Sequence, residues 1–440
     1  MRLERLRFPN REKFIYHEEQ YGTEEFYARL SAAMQSGHTA YARALGGLVA
    51  RNGATPSIYF PIASGLPVAK ALGQLPHETV ERSLEELRFI EVVETSDGSY
   101  TQLRSQVGLE RRRASIYVEN IVLAAVADWL VKTGWSSKGV TTVRQPLKVG
   151  RYGQYEFDLT AASYLWALTT GSGPNLKSGF LVADIVFDRH LSEQDIYPFI
   201  SKLDAIKSQN RSVRFQPMFI AESFDEDALN LLRKRGVFVL TPSVLFGKEA
   251  GAAIAQLIYT VANAAAAIAN DPDAVFNILS RLGKVEGAAL NLRGIVLELI
   301  VARLYHQKGY QIEIRKQVRT NDGKLAEIDV KAQNNREVVF IECKGKGPGN
   351  LVGVSDVNDW ADEALPRIKE WASYFSTLPT QKRFQFYSAT NYTEEAKVAM
   401  AKLTQSKRQP IEFLTGNDIL AMLKAENDSA LVNIFKEQFT

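Results

Sequence analysis

Two stretches of this 440-residue chain, about 114–247 and 290–425, carry the same succession of features, and that repeat limits what the chain can fold into. Ser115-Ile116-Tyr117-Val118-Glu119 opens an amphipathic helix in the first stretch, as Gly294-Ile295-Val296-Leu297-Glu298 does in the second. Each helix ends at a glycine followed by an aromatic residue, Gly134-Trp135 and Gly309-Tyr310. Strand patterns then reach Glu156-Phe157-Asp158 and Glu327-Ile328-Asp329, and an apolar strand closes on an acid at Asp184 and at Glu342. A helix follows in each copy. Arg214-Phe215-Gln216 then matches Arg383-Phe384-Gln385, and the last strands, 237–241 and 411–415, also agree. This order predicts two copies of one α/β domain, each a central mixed sheet flanked by helices.

Ahead of the repeat the pattern is helical and then extended. Thr23 is placed to cap a helix carrying Phe26, Leu30 and Met34, and a second helix is expected from about Thr39 to Arg51. Short helices are predicted over 67–72 and 76–87, followed by alternating strands on either side of Ser96-Asp97-Gly98, a strong hairpin signal. Helix, turn, helix, hairpin is the winged-helix order. Val80, Leu84 and Leu87 form the apolar face of the last helix, which leaves Arg82 and Arg88 as candidates for phosphate contact. Glu78, Glu81, Glu85 and Glu86 on the same helix oppose such contact, so dimerisation or sensing is the competing role.

At about 150 residues per domain the length allows roughly three domains. The expected division is a helical, winged-helix-like module over 1–113, a first α/β domain over 114–247, a helical link over 248–289 and a second α/β domain over 290–440. A single cysteine, Cys343, excludes an intramolecular disulfide. The start MRLERLRFPNREKF has no apolar core of a signal peptide, and the most apolar run, about 251–270, is interrupted by Gln256, Tyr259 and Asn263. A cytoplasmic protein with no membrane partner is the expectation. A net charge of +3 leaves nucleic-acid binding to local clusters such as 111–113, 344–346 and 382–383. No phosphate-loop motif and no His/Cys zinc spacing is present.

The chemistry concentrates in the second copy. Asn321-Asp322-Gly323-Lys324 makes a hairpin turn, so the strand that carries Asp329 enters beside 316–320. Asp329 is followed, after twelve intervening residues, by Glu342-Cys343-Lys344, and alternation along a strand points Glu342 and Lys344 the same way. Four apolar residues, 338–341, precede Glu342 and mark a buried strand, whose charges require partners. Two carboxylates and a lysine in one pocket, with Glu298 as a fourth group, suit Mg2+ or Mn2+ and phosphodiester hydrolysis. The Cys343 carbonyl is a further candidate ligand, and Lys346 a candidate nucleic-acid contact.

From about Leu290 to Met422 the chain resembles the PD-(D/E)XK, or restriction-endonuclease-like, nuclease superfamily. The resemblance rests on the helical segment Gly294-Ile295-Val296-Leu297-Glu298, on Ala326-Glu327-Ile328-Asp329 and on Val339-Phe340-Ile341-Glu342-Cys343-Lys344. It implies that Asp329 and Glu342 hold the metal, that Lys344 assists the attacking water and that Glu298 is the helical acid. Ile328 stands where the name of the family has proline. In the first copy Glu119, Asp158 and Asp184 take the places of the three acids, but Val186 stands at the lysine position, which implies a degenerate copy. The fold expected is therefore α/β, two tandem restriction-endonuclease-like domains behind a winged-helix-like module. The activity implied is Mg2+-dependent endonucleolytic cleavage of DNA, with RNA left open, in restriction, mobile-DNA or defence systems. One live site per chain implies a homodimer or larger assembly, and the absence of a phosphate loop leaves any ATPase to a separate defence partner. The alternative is a non-catalytic DNA-binding or regulatory protein that uses the same folds for recognition or assembly.

Overall fold

The computed structural model describes residues 3, 6–8, 12–69, 74–95, 98–104, 108–145, 148–163, 165–171, 175–209, 214–263, 289–374, 378–379, 381–404 and 411–440. These form two compact units, Met1–Val93 with Ser99–Gly251, and Ala252–Thr440 with Glu94–Gly98. Both are α/β, each built on a mixed sheet flanked by helices.

The first unit begins with α1 (Glu24–Ser36) and α2 (Ala40–Val49). The Thr23 and Thr39 hydroxyls accept from the backbone N–H of Phe26 and Ala42, which satisfies one orphan donor at each start. The predicted face of α1, Phe26, Leu30 and Met34, is buried. Next come β1 (Ala54–Pro56), α3 (Phe60–Ser64), α4 (His77–Glu86), β2 (Ile90–Thr95) and β3 (Gly98–Leu103). The short helix expected at 67–72 lies earlier: Pro61 starts α3 and Gly65, at φ 64°, ends it, while 67–69 are not helical and 70–73 fall outside the described residues. Two residues of the expected hairpin turn, Ser96 and Asp97, also fall outside them, but β2 and β3 are neighbours in a sheet of order β1-β3-β2.

The remainder of the unit is α5 (Leu109–Lys132), β4 (Thr141–Val143), the small hairpin β5 (Gly150–Tyr152) and β6 (Tyr155–Phe157), β7 (Leu159–Ser163), β8 (Gly179–Leu191), α6 (Glu193–Gln209), β9 (Phe215–Phe224), α7 (Glu226–Lys234), β10 (Phe238–Leu240) and α8 (Pro242–Phe246), and the division at Gly251 falls within α9 (Lys248–Ala262). Its five-stranded sheet has the order β10-β9-β8-β7-β4. The pairs β4–β7 and β7–β8 are antiparallel, and β8–β9 and β9–β10 are parallel. Within α5, Arg111–Lys132 is the one stretch of the described residues long and apolar enough to cross a membrane. It carries the buried pair Arg112 and Glu119. α2 packs on α6, and Gly65 lies so close to Pro198 that an added side chain would sit 2.2 Å from its carbonyl oxygen.

The second unit repeats this plan. It consists of α10 (Ala289–Gln307), β11 (Gln311–Arg319), β12 (Leu325–Gln333), β13 (Glu337–Lys344), α11 (Val354–Asp359), α12 (Leu365–Tyr374), β14 (Gln381–Ser388), α13 (Glu394–Thr404), β15 (Ile411–Leu414), α14 (Gly416–Ala425) and α15 (Ser429–Phe439). A π-helical turn, Trp360–Ala364, joins α11 to α12. The sheet order is β11-β12-β13-β14-β15, antiparallel for the first two pairs and parallel for the last two, as in the first unit read from its other edge. Parallel strands covered by helices are buried on both faces, which explains the unbroken apolar run 338–341. Trp360 belongs to the core with Phe340, Phe384 and Phe386, and Trp371 packs against it. Tyr374 is exposed, and Phe375 lies outside the described residues.

Candidate active site

The pairing of β12 with β13 runs as far as Val330 opposite Ile341. One residue further along both strands stand Asp329 and Glu342, side by side at the end of the antiparallel pair. Asp329 Oδ2 accepts the backbone N–H of Cys343 at 2.7 Å, and Lys344 Nζ donates to Glu342 Oε1 at 2.6 Å. From α10, Glu298 receives both arms of Arg315: Nε donates to Oε2 at 2.8 Å and Nη2 to Oε1 at 3.0 Å. Arg315 stands between the paired residues Ile314 and Lys316 of β11, and its backbone is left-handed at φ 54°. Gln317 donates to Glu327, a fourth acid in the neighbourhood.

Burial, then the negative charge of Glu342, Glu298 and Glu327, raises the Asp329 carboxyl well above its ordinary range. Burial also raises Glu342, against the pull of Lys344. Burial alone would lower Lys344, but Glu342 and Asp329 hold it above the usual lysine range, so its ammonium is charged at neutral pH. Anion outweighs local cation here, and the donors are hard oxygens, so the residues fit a divalent cation of the Mg2+ type. Among the described residues no three His, Cys, Asp or Glu side chains are gathered at ligating distance. Each acid is instead held by a partner within the protein: Asp329 by a backbone N–H, Glu342 by Lys344 and Glu298 by Arg315. The adjoining loop is constrained, because a side chain at Gly345 would lie 2.3 Å from the Arg293 carbonyl oxygen at α10. Lys346 is half-exposed and pairs with Asp356 at 3.1 Å. Arg82 and Arg88 are exposed, on α4 and just past it, in the first unit.

The first unit builds the same frame with different contents. Pairing of β7 with β8 runs to Leu159 opposite Ala183, and the next residues are Asp158 and Asp184. Asp158 Oδ2 accepts the backbone N–H of Ile185 at 2.8 Å, the counterpart of the Asp329–Cys343 bond. Val143 pairs with Leu159 as Ile314 pairs with Val330, so Arg144 corresponds to Arg315. Arg144 likewise grips the helical acid, Glu119, at 2.6 Å, but its other arm reaches Asp158 at 2.7 Å. Arg112 adds bonds of 2.7 and 3.1 Å to Glu119, and Arg51 Nη2 lies 4.0 Å from Asp158. Lys202, rising from α6, donates to Asp184 at 2.5 Å and to the Glu156 carbonyl at 3.0 Å. Four cations thus meet three acids, all of them buried. Burial works against the Glu119 charge, but Arg112 and Arg144 hold its carboxyl down at about 2. Where the second unit leaves negative charge to be neutralised, the first neutralises it with its own side chains.

The spacing of motifs pointed to the acids and to Lys344 but not to Arg51, Arg112, Arg144, Lys202 or Arg315. The signal for one pair was present: Val143-Arg144 and Ile314-Arg315 occupy the same place in the repeat.

No family model matches the chain, and no curated protein matches it. Among solved structures it is similar to a protein of unknown function, AF1548, at 21% identity, with a TM-score of 0.22 over 31% of this chain and 67% of that one. It is similar to the chain of an EndoMS–dsDNA complex at 10% identity, with a TM-score of 0.19 over 32% of this chain and half of that one. It is similar to restriction endonuclease FokI at 11% identity, with a TM-score of 0.23 over 97% of this chain and 77% of that one. At such TM-scores the chemistry has to be read from the side chains themselves.

Proposed function

We propose that the chain is a divalent-metal-dependent endonuclease of the PD-(D/E)XK type, acting on DNA through its second unit. The observation that carries this reading is the comparison of two matched frames. In each, an aspartate is locked to the same backbone N–H, but only one keeps a lysine two residues past the second acid and an excess of negative charge. Asp329 and Glu342, with the Cys343 carbonyl, are the groups that would hold Mg2+ or Mn2+. The bound ion supplies Lewis acidity toward the phosphoryl oxygen and a lowered pKa for water. Lys344, held charged by Glu342, is a fixed cation: it orients the attacking water and offsets charge on the phosphoryl oxygens rather than removing a proton. Glu298 supplies a further carboxylate at the helix. The first unit, with Val186 in place of a lysine and its acids already paired, serves as scaffold for the N-terminal module. The order α2, β1, α3, α4, β2, β3, with β1 beside β3, supports a winged-helix role for that module in contact with DNA. One live site per chain cuts one strand, so a double-strand break calls for two copies.

The test is incubation of supercoiled plasmid, linear duplex, single-stranded DNA and RNA with Mg2+ or Mn2+, using wild type, Lys344→Ala and Glu342→Ala. Divalent-dependent DNA cleavage lost in both variants is the expected result. DNA binding with no cleavage by the wild type under any of these conditions overturns the catalytic reading.

A further inference from the structure

Arg315 and Arg144 stand at corresponding positions and grip corresponding helical acids, yet the two differ in access to solvent. The Arg144 side chain is 1% exposed and holds two acids at once, whereas the Arg315 side chain is 22% exposed. Arg315 also sits in a left-handed backbone, a conformation that costs a non-glycine residue energy and persists only where the surroundings hold it. With both guanidinium arms on Glu298, the helical carboxylate is occupied on both oxygens.

We propose that Arg315 withholds Glu298 from the metal in the free protein and releases it when a backbone phosphate of the nucleic acid takes the guanidinium instead. A phosphodiester offers the same bidentate geometry as a carboxylate, so the exchange keeps the arginine paired throughout. Glu298 then turns its oxygens to the ion, beside Asp329 and Glu342. Metal affinity and nucleic-acid affinity rise together, as reciprocity between coupled sites requires. In the first unit the corresponding arginine is a lock, because it is buried and also pairs with Asp158. In the second unit it is a switch. The inference rests on the reading of the second unit as a metal-dependent nuclease, and Arg315 is a positioning residue in it rather than a metal ligand.

Titration of Mn2+ into the full chain, followed by electron paramagnetic resonance, with and without a non-cleavable phosphorothioate duplex, tests it. Arg315→Gly removes the guanidinium and suits the left-handed backbone, and Arg315→Lys keeps the charge without the fork. Without DNA, Arg315→Gly is expected to bind Mn2+ about tenfold more tightly than wild type, an ordinary coupling strength, with Arg315→Lys between them. The duplex should tighten Mn2+ binding of the wild type to the level of Arg315→Gly and leave that variant unchanged. Equal Mn2+ affinities of wild type and both variants without DNA, or a duplex effect that persists in Arg315→Gly, would overturn the proposal. Should Arg315→Gly not fold by circular dichroism, Arg315→Lys decides by the same criteria. Asp329→Asn separates the two claims: if it binds Mn2+ as wild type does, the reading of the site fails, whatever Arg315 does.

Discussion

The guanidinium of Arg144 bridges Glu119 and Asp158 where neither has access to water, and that contact decides what the first unit can be. A buried ion network is a weak source of net stability, but removing one member leaves the others charged and unpaired. Arg144→Met is therefore expected to lower unfolding free energy by about 3–5 kcal/mol, measured by urea denaturation, without creating a metal site. At Lys344 the expectation is the reverse. Lys344→Met should cost less stability than Arg144→Met, because the Lys344 side chain is 32% exposed, while lowering the cleavage rate by about two to three orders of magnitude. Asp329, Glu342 and Lys344 were legible in the sequence because an acid at the end of an apolar run is anomalous in one dimension. Arg51, Arg112 and Lys202 were not, because long side chains from the turn after α2 and from α5 and α6 converge only once those helices pack, and nothing in their local sequence marks them.

At the level of elements, close approach matters more than composition. Gly345 follows β13 and faces the carbonyl of Arg293, and Arg293 Nε donates to the Gln438 carbonyl of α15 at 2.9 Å. Gly345→Ala must push β13 away from the start of α10. It is expected to cost about 1–3 kcal/mol and to reduce cleavage together with Mn2+ binding, because it moves Glu342 relative to Glu298. Thermal melts read beside a cleavage assay check it; unchanged activity would mean the loop is not coupled to the site. The strongly patterned elements were foreseen: Thr23 and its apolar face set α1, and Val80, Leu84 and Leu87 are buried as their spacing requires. α3 differs from the helix expected over 67–72 because five residues make too short a window for periodicity, and its bounds are set by Pro61 and Gly65.

Across the whole molecule the Glu119 and Asp329 carboxyls are expected to respond to acid in opposite directions, with Asp184 of the first unit, raised to about 6 by burial, on the side of Asp329. Glu119, held at about 2 against an ordinary 4.5, contributes about 3 kcal/mol, and that contribution is present above its unfolded value. It is lost as the pH falls from 4.5 through about 2. The Asp329 carboxyl is raised instead, so its charge opposes folding at neutral pH and protonation relieves that as the pH falls. Asp329→Asn should then stabilise the second unit at neutral pH in the presence of a chelator, and Mn2+ should stabilise wild type but not this variant, both read by calorimetry. The repeat was legible at this scale because two copies of one topology must carry the same periodicities in the same order. The difference between the copies was legible at Val186 and in the longer strand connection of the first copy through Gly171-Ser172-Gly173-Pro174, and the rest of it lies in which charges meet.

Of the two matched frames only the second is proposed to be live, and a paired substitution separates them. Glu342→Gln and Asp184→Asn make the same chemical change at corresponding positions and are compared with wild type for nicking of supercoiled plasmid in Mn2+, with folding verified by circular dichroism. Nicking abolished by Glu342→Gln and retained by Asp184→Asn is the predicted result. Nicking retained by Glu342→Gln, or abolished by a folded Asp184→Asn, would contradict the account.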